Sequence, residues 1–356
     1  MAEKHKIQFT VRKIPVVEKI FFVQNLALMI KTGFSIGDAL QTLHQQVKNK
    51  QFGAVLADLQ NSVVKGESFS EALQRHPEIF DNLFVSMVAA GETSGNLEQT
   101  LFQLSTQLKK SYALRKKIRN AMIYPCLIIT VMIIVGSGMF VFVIPRILDL
   151  YTTNGYSLPL PTRIILAVSD FITHNGLAIG IGATVLLIGW IAFVRTEGGK
   201  FFWHRVLLHI PIAGKIIKRI NVARFSRVLN SLIITDIPIV KGFQIIASTL
   251  PNRVYRYHLE NASASLAKGN SIYSTLSSRP DLFEPVVAQM VKVGEEAGVL
   301  DTMTSEIANF YEDEVDSTMA NLTVIIEPVL MVVIGVGVGF LAVAIILPIY
   351  SLVNEV

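Results

Sequence analysis

One cysteine, Cys126, stands in this chain of 356 residues. It lies in a run without charged residues, so neither an intrachain disulfide nor a cysteine-based zinc site is expected. The seven histidines are scattered. His204 and His209 are five apart, which does not bring two ligands onto one helical face, and they are expected at an interface. The stretch GVGFLA at 337–342 fits the loosest dinucleotide-binding pattern. It sits inside an apolar run, with no strand before it and no soluble helix after it, so a nucleotide site is not expected there. The chain has no G-x-x-x-x-G-K-[ST] loop, the pattern that cradles a triphosphate, and no nucleophile paired with a base. No catalytic residue, cofactor or metal is expected.

The side chains that do recur in a pattern belong to a turn. AGETSGNLEQTL at 90–101 returns as VGEEAGVLDTM at 293–303. Gly91, Glu92, Gly95 and Leu97 become Gly294, Glu295, Gly298 and Leu300, a shift of 203 each time. Two readings of the glutamates stand. A carboxylate just before a helix start favours the positive end of the helix dipole, and an exposed carboxylate could meet a partner or a metal. For the glycines, turn geometry is sufficient: they accept positive φ and let helices approach closely. The spacing predicts a helix from near Asp81 that stops at Gly91, and another that begins at Leu97.

The elements that must position this turn repeat with it. Phe22, Leu26, Thr32 and Ile36 become Phe225, Leu229, Thr235 and Ile239 under the same shift. KGESFSEAL at 65–73 becomes KGNSIYSTL at 268–276, and Pro125 and Pro145 become Pro328 and Pro348. The chain is therefore a tandem duplication of one long module, too few copies for a solenoid. LALMIKTGFSIGDALQTL has helical apolar spacing broken at Thr32 and Gly33. Ser68 with Glu71 reads as a capping box, and no alternating pattern of the strand kind is prominent. Each module is expected to be a helical bundle.

Composition places the modules at a membrane. Hydrophobic residues make up 51% of the chain and charged ones 17%. Residues 120–145, 171–194 and 328–354 carry no Asp, Glu, Lys or Arg. Each exceeds the ~20 residues a helix needs to cross a bilayer. The N-terminal stretch lacks the apolar core of a signal peptide, so none is expected. Of the 32 Lys and Arg residues, 30 fall outside the 145–171 segment and cluster before and between the apolar runs. That asymmetry predicts a cytoplasmic N-terminus and an external C-terminus. It accounts for the net charge of +5 better than nucleic-acid binding, for which no basic stripe with aromatics is present. The duplicated spans must both run outward, so the middle span returns the chain; the repeats are parallel rather than inverted.

The expected organisation is all-α and three-span. A lead (1–21) precedes a cytoplasmic helical domain (22–120), a span (121–145) and an external loop (146–170). A second span (171–194), a second cytoplasmic domain (195–322), a third span (323–350) and an external tail (351–356) follow. Gly176 with Gly180, and Gly335 with Gly339, give the G-x-x-x-G spacing that packs membrane helices closely. Lys109 and Lys110 align with Glu312 and Asp313, an inversion of charge at equal distance from Pro125 and Pro328. Drift on a solvated face explains this; so does pairing between the two membrane-approaching helices, within one chain or across an oligomer.

Two helical domains carrying GETSGNLEQTL and GEEAGVLDTM lead into KIRNAMIYP and ANLTVIIEP, after an entry helix FFVQNLALMIKTGFSIGDAL. In this combination the chain resembles the inner-membrane platform protein family of type II secretion and type IV pilus machines. The second turn departs from the first by Ala297 in place of Ser94. The resemblance covers essentially the whole chain. It implies a multi-pass protein of the bacterial cytoplasmic membrane that contacts a cytoplasmic assembly ATPase, pilin or pseudopilin subunits and other inner-membrane assembly proteins. Contact with membrane lipid and a homo-oligomeric state are also expected. A transporter or channel subunit is the competing class, but it needs ionisable residues inside the spans. Only His174 and Glu327 lie near span ends. A passive membrane adaptor is the other alternative.

Overall fold

The computed structural model describes residues 14–139, 171 and 175–354. The expected external loop 146–170, most of the lead, Pro145, His174 and the last two residues of the tail lie outside them. All regular structure among the described residues is helical. The first module comprises α1 (Val16–Lys31), α2 (Ile36–Gln46), α3 (Lys50–Val64), α4 (Phe69–Gln74), α5 (Asn82–Ser94) and α6 (Leu97–Gly138). Then come α7 (Gly176–Arg195) and α8 (Glu197–His209). The second module comprises α9 (Pro211–Ile234), α10 (Ile239–Thr249), α11 (Arg253–Leu266), α12 (Ile272–Ser277), α13 (Pro285–Ala297) and α14 (Leu300–Asn354). Adding 203 to the bounds of α2, α4 and α5 gives those of α10, α12 and α13. The duplication is thus one of elements as well as of letters.

Local chemistry sets the helix ends. Ser68 accepts from the Glu71 amide while the Glu71 carboxylate reaches back to the Ser68 amide, so the capping box starts α4. Asp81 caps α5 by accepting from the Phe84 amide at 3.0 Å. The second module keeps the first device in part, with Ser271 accepting from Ser274 at 3.0 Å. It replaces the second with Pro285 at the first helical position, where a missing N–H costs nothing.

Each module has an aromatic centre at the same places. Phe22 lies 5.6 Å from Phe52 and 6.2 Å from Phe80 between ring centroids. Phe225 lies 5.7 Å from Phe243 and 5.0 Å from Phe283, and Tyr255 fills the position of Phe52 at 5.4 Å from Phe283. The Tyr255 hydroxyl is fully buried and donates to the Leu282 carbonyl, as a buried phenol requires. His258 packs beside the same ring, and burial pushes its imidazole down to about 4, so it is neutral filling.

The chain divides into two compact units. One takes in Met1–Arg115 and His204–Val315, and so holds the helical parts of both modules; the other takes in Lys116–Trp203 and Asp316–Val356. In the second unit Lys117 pairs with Asp316, and Trp190 stacks edge-on against Trp203 at 4.8 Å. Large apolar side chains stand exposed there, among them Ile133 at 63%, Leu186 at 75% and Val332 at 65%. Among the described residues α6 is long and apolar enough to cross a membrane; Thr184–Arg195 in α7 and Leu330–Gly339 in α14 are shorter apolar stretches.

Pro125 and Pro328, expected near the starts of the first and third spans, lie inside the continuous helices α6 and α14. A proline in a helix removes one backbone bond, but the surrounding turns hold. The edges set from sequence at 120 and 322 likewise fall within continuous helices. A Cβ built at Gly335 or Gly339 meets nothing within 4 Å, so these glycines lie open in the chain by itself. Gly176 opens α7 and Gly180 follows one turn later.

A carboxylate clamp and the contact between the modules

The repeated turn differs from its reading in two respects. α5 does not stop at Gly91; it runs on to Ser94 and ends at Gly95, whose φ of 71° is left-handed. Likewise α13 ends at Gly298 with φ 70°. The terminating glycine is the one with positive φ, because a left-handed residue closes the last turn and only glycine takes that conformation without strain. Gly91 does something else. A Cβ there would lie 2.6 Å from Thr100 Oγ1, so its missing side chain lets α5 cross the start of α6. At Gly294 the same atom would lie 3.0 Å from Leu300 Cα and 3.1 Å from Met303 Cβ. Leu97 is buried at the start of α6, and Leu300 is half-buried at the start of α14.

The glutamates also cap a helix, but not the following one. Glu92 accepts from the amides of Phe69 at 2.6 Å and Ser70 at 2.9 Å, with one oxygen for each. Glu295 accepts from Ile272 at 2.6 Å and Tyr273 at 3.0 Å. Each carboxylate therefore clamps the N-terminus of the short helix α4 or α12 to the C-terminal turn of α5 or α13. Charge-assisted bonds of this kind are worth ~1.5–3 kcal/mol each, and here they satisfy donors that a helix leaves open. The signal in the sequence is the constant interval from Ser68 to Glu92 and from Ser271 to Glu295. Among the described residues no group of three or more His, Cys, Asp or Glu side chains converges as a metal site. His204 has its own structural task, its Nδ1 accepting from the Arg253 amide at 2.9 Å at the start of α11. Cys126 is exposed on α6.

Within the first compact unit the modules meet through unlike surfaces. α5 packs on α10, and α6 lies against α9. The Ser231 hydroxyl donates to Gln107 Oε1 at 3.3 Å and accepts from Gln103 Nε2 at 3.5 Å. Lys110 Nζ lies 3.4 Å from Glu312 Oε2. Arg227 grips the same carboxylate with two bonds of 2.8 Å and donates to Asn309 at 2.6 Å. Lys109 and Asp313 are exposed and carry no ion pair among the described residues. A cavity of about 270 Å³ opens beside this network, with Asp81, Arg115 and Arg224 in its wall. Burial and the neighbouring Arg115 lower the Arg224 guanidinium to about 10. Sequence reasoning missed Arg227 and Arg224, since nothing near them in the chain announces a partner.

The class defined by these features is an all-α protein made of a duplicated helical module, each copy ending in a long helix that becomes apolar. The family model described as type II secretion system (T2SS), protein F, matches the chain twice, at residues 22–145 and 225–348. The two matches are offset by the same 203 residues. The chain belongs to that family. It is 35% identical to the type IV pilus assembly protein PilC of Thermus thermophilus, over 96% of this chain and 86% of that relative. It is 35% identical to PilC of Myxococcus xanthus, over 95% of this chain and 81% of the relative. It is also 30% identical to the type II secretion system protein F of Aeromonas hydrophila, over 95% of this chain and 87% of the relative.

Proposed function

We propose that this chain is an inner-membrane platform protein of a type IV pilus or type II secretion machine, which couples a cytoplasmic assembly ATPase to the extraction and assembly of pilin or pseudopilin subunits. The observation that carries this reading is the family match over both halves of the duplication. Relatives named for both machines align along nearly the whole chain. The geometry supports it by what it offers. The Glu92 and Glu295 clamps hold each module's last turn rigid, and α6 and α14 lead from that turn into apolar sequence without a break. The work is mechanical, and no group in the chain is assigned a catalytic part.

In this reading the chain crosses the bacterial inner membrane three times, along 121–145, 171–194 and 323–350. Both modules face the cytoplasm, the N-terminus is inside and the C-terminus outside. The exposed apolar side chains of α6, α7 and α14 support contact with lipid, and the basic asymmetry supports the orientation. Other inner-membrane assembly proteins are further partners. The test is affinity purification of the tagged chain from its own cells in mild detergent. The assembly ATPase and a prepilin should be recovered with it, and lost after deletion of the modules. Recovery of neither, together with solute or ion flux through the purified chain in liposomes, would turn the assignment to a transporter.

A further inference from the structure

The contact between the modules is head-to-tail. The first module offers α5 and α6, and the second receives them on α9 and α10. A contact between unlike surfaces, unlike a two-fold one, leaves one surface of each kind unused. Under the shift of 203 the unused surfaces can be named. The receiving positions Ser231 and Ile237 are 1% and 6% exposed, whereas their first-module equivalents Leu28 and Phe34 are 52% and 50% exposed. Phe21, one further position on that face of α1, is 53% exposed where the second module has Arg224. The offered positions Leu83 and Gln107 are each 6% exposed, whereas their second-module equivalents Val286 and Phe310 are 52% and 58% exposed.

We infer that these two faces bind each other between chains: the face of α1 and the turn after it, with Phe21, Leu28 and Phe34, receives the α13–α14 face of another chain, with Val286, Phe310 and the likewise exposed Val293. The occupant is another copy of this chain for two reasons. Each free face already has its counterpart in the contact the chain makes with itself. The charges also match. Inside the chain Lys110 meets Glu312. The equivalents of that pair are Asp313 and Lys109, so the contact repeated between chains sets Asp313 against Lys109 of the next chain, again with opposite signs. The difference in polarity follows from linkage. Two modules tethered on one chain meet at high effective concentration and hold with Ser231 and Gln107 at the contact. Separate chains have no tether and must gain their association from apolar burial. The inference rests on the duplication and on the first unit, and is independent of the platform role.

The test is the mass distribution of the full chain in detergent by mass photometry, for wild type, Phe21→Asp and Phe310→Asp. Wild type should form species of two or more chains. Each variant alone should be monomeric, with unchanged helicity and melting because both side chains are exposed. Mixed one to one, the variants should form dimers holding one chain of each and nothing larger, since a single intact pair of faces remains. A second set keeps the test open should an aspartate unfold the chain: Lys109→Glu should weaken association at low salt by several-fold, and adding Asp313→Lys should restore it. Monomeric wild type, self-association of either aspartate variant, absence of the mixed dimer, or no rescue by the second reversal would overturn the inference.

Discussion

Gly91 and Gly95 stand four residues apart in one turn and meet different physical demands. At Gly95 a Cβ would meet no atom within 4 Å, but the φ of 71° penalises any side chain. At Gly91 the backbone is helical and the space is filled, with Thr100 Oγ1 2.6 Å from where the Cβ would be. The first penalty is a local backbone term of ~1–2 kcal/mol. The second forces two packed helices apart, which costs ~1–3 kcal/mol and propagates into the core. Gly95→Ala should therefore lower the melting temperature modestly with contacts intact. Gly91→Ala should lower it by at least as much and be partly rescued by Thr100→Ser, which trims a methyl but leaves the hydroxyl, and more fully by Thr100→Ala. Thermal melts of these variants, together with Gly95→Ala combined with Thr100→Ala, check this; equal behaviour of both glycines toward Thr100→Ala would contradict it.

α4 and α12 are six residues each, too short to persist by propensity. They persist because their ends are tied. The capping box holds one end of α4 locally, and Glu92 holds its first amides from 22 and 23 residues away. Glu92→Gln presents an amide N–H₂ where an acceptor is needed, so one of the two bonds is lost. The amide that loses its acceptor, Phe69 or Ser70, should then exchange about tenfold faster with solvent deuterium, while those in the middle of α3 stay protected. Exchange unchanged at Phe69 and Ser70 would remove the clamp from the account. Ser68 and Asp81 were legible in the sequence because a cap acts on residues three away, and the break at Gly33 because it interrupts the helical spacing. The helical class and the duplication were legible for the same reason, as patterns of spacing. The partner of Glu92 was not, because a through-space bond leaves only a constant interval between Ser68 and Glu92 in both modules. One helix end misled: Gly91 reads as a stop, but it stays helical where α5 crosses the start of α6, and Gly95 ends the helix.

At the scale of the whole molecule, the duplication imposes a condition on the membrane. Two copies of one module, each leading into an apolar run of the same direction, can share a side only if the chain is returned between them. The apolar run at 171–194 supplies that return in the platform reading. The basic residues fall accordingly, and the two matches to the family model, 22–145 and 225–348, each take in one of the duplicated apolar runs and leave out the middle one. In that reading both modules would face the same cytoplasmic motor. The most direct test labels single cysteines in intact cells, in a Cys126→Ser background, with a membrane-impermeant maleimide. Gln41 and Gln244 are equivalent, exposed positions in the two modules, and Asn154 lies between the first two apolar runs. The account predicts that a cysteine at Asn154 is labelled in intact cells, while cysteines at Gln41 and Gln244 are labelled only after the cells are permeabilised. Labelling of the Gln244 cysteine, but not the Gln41 cysteine, in intact cells would put the two modules on opposite sides and contradict it.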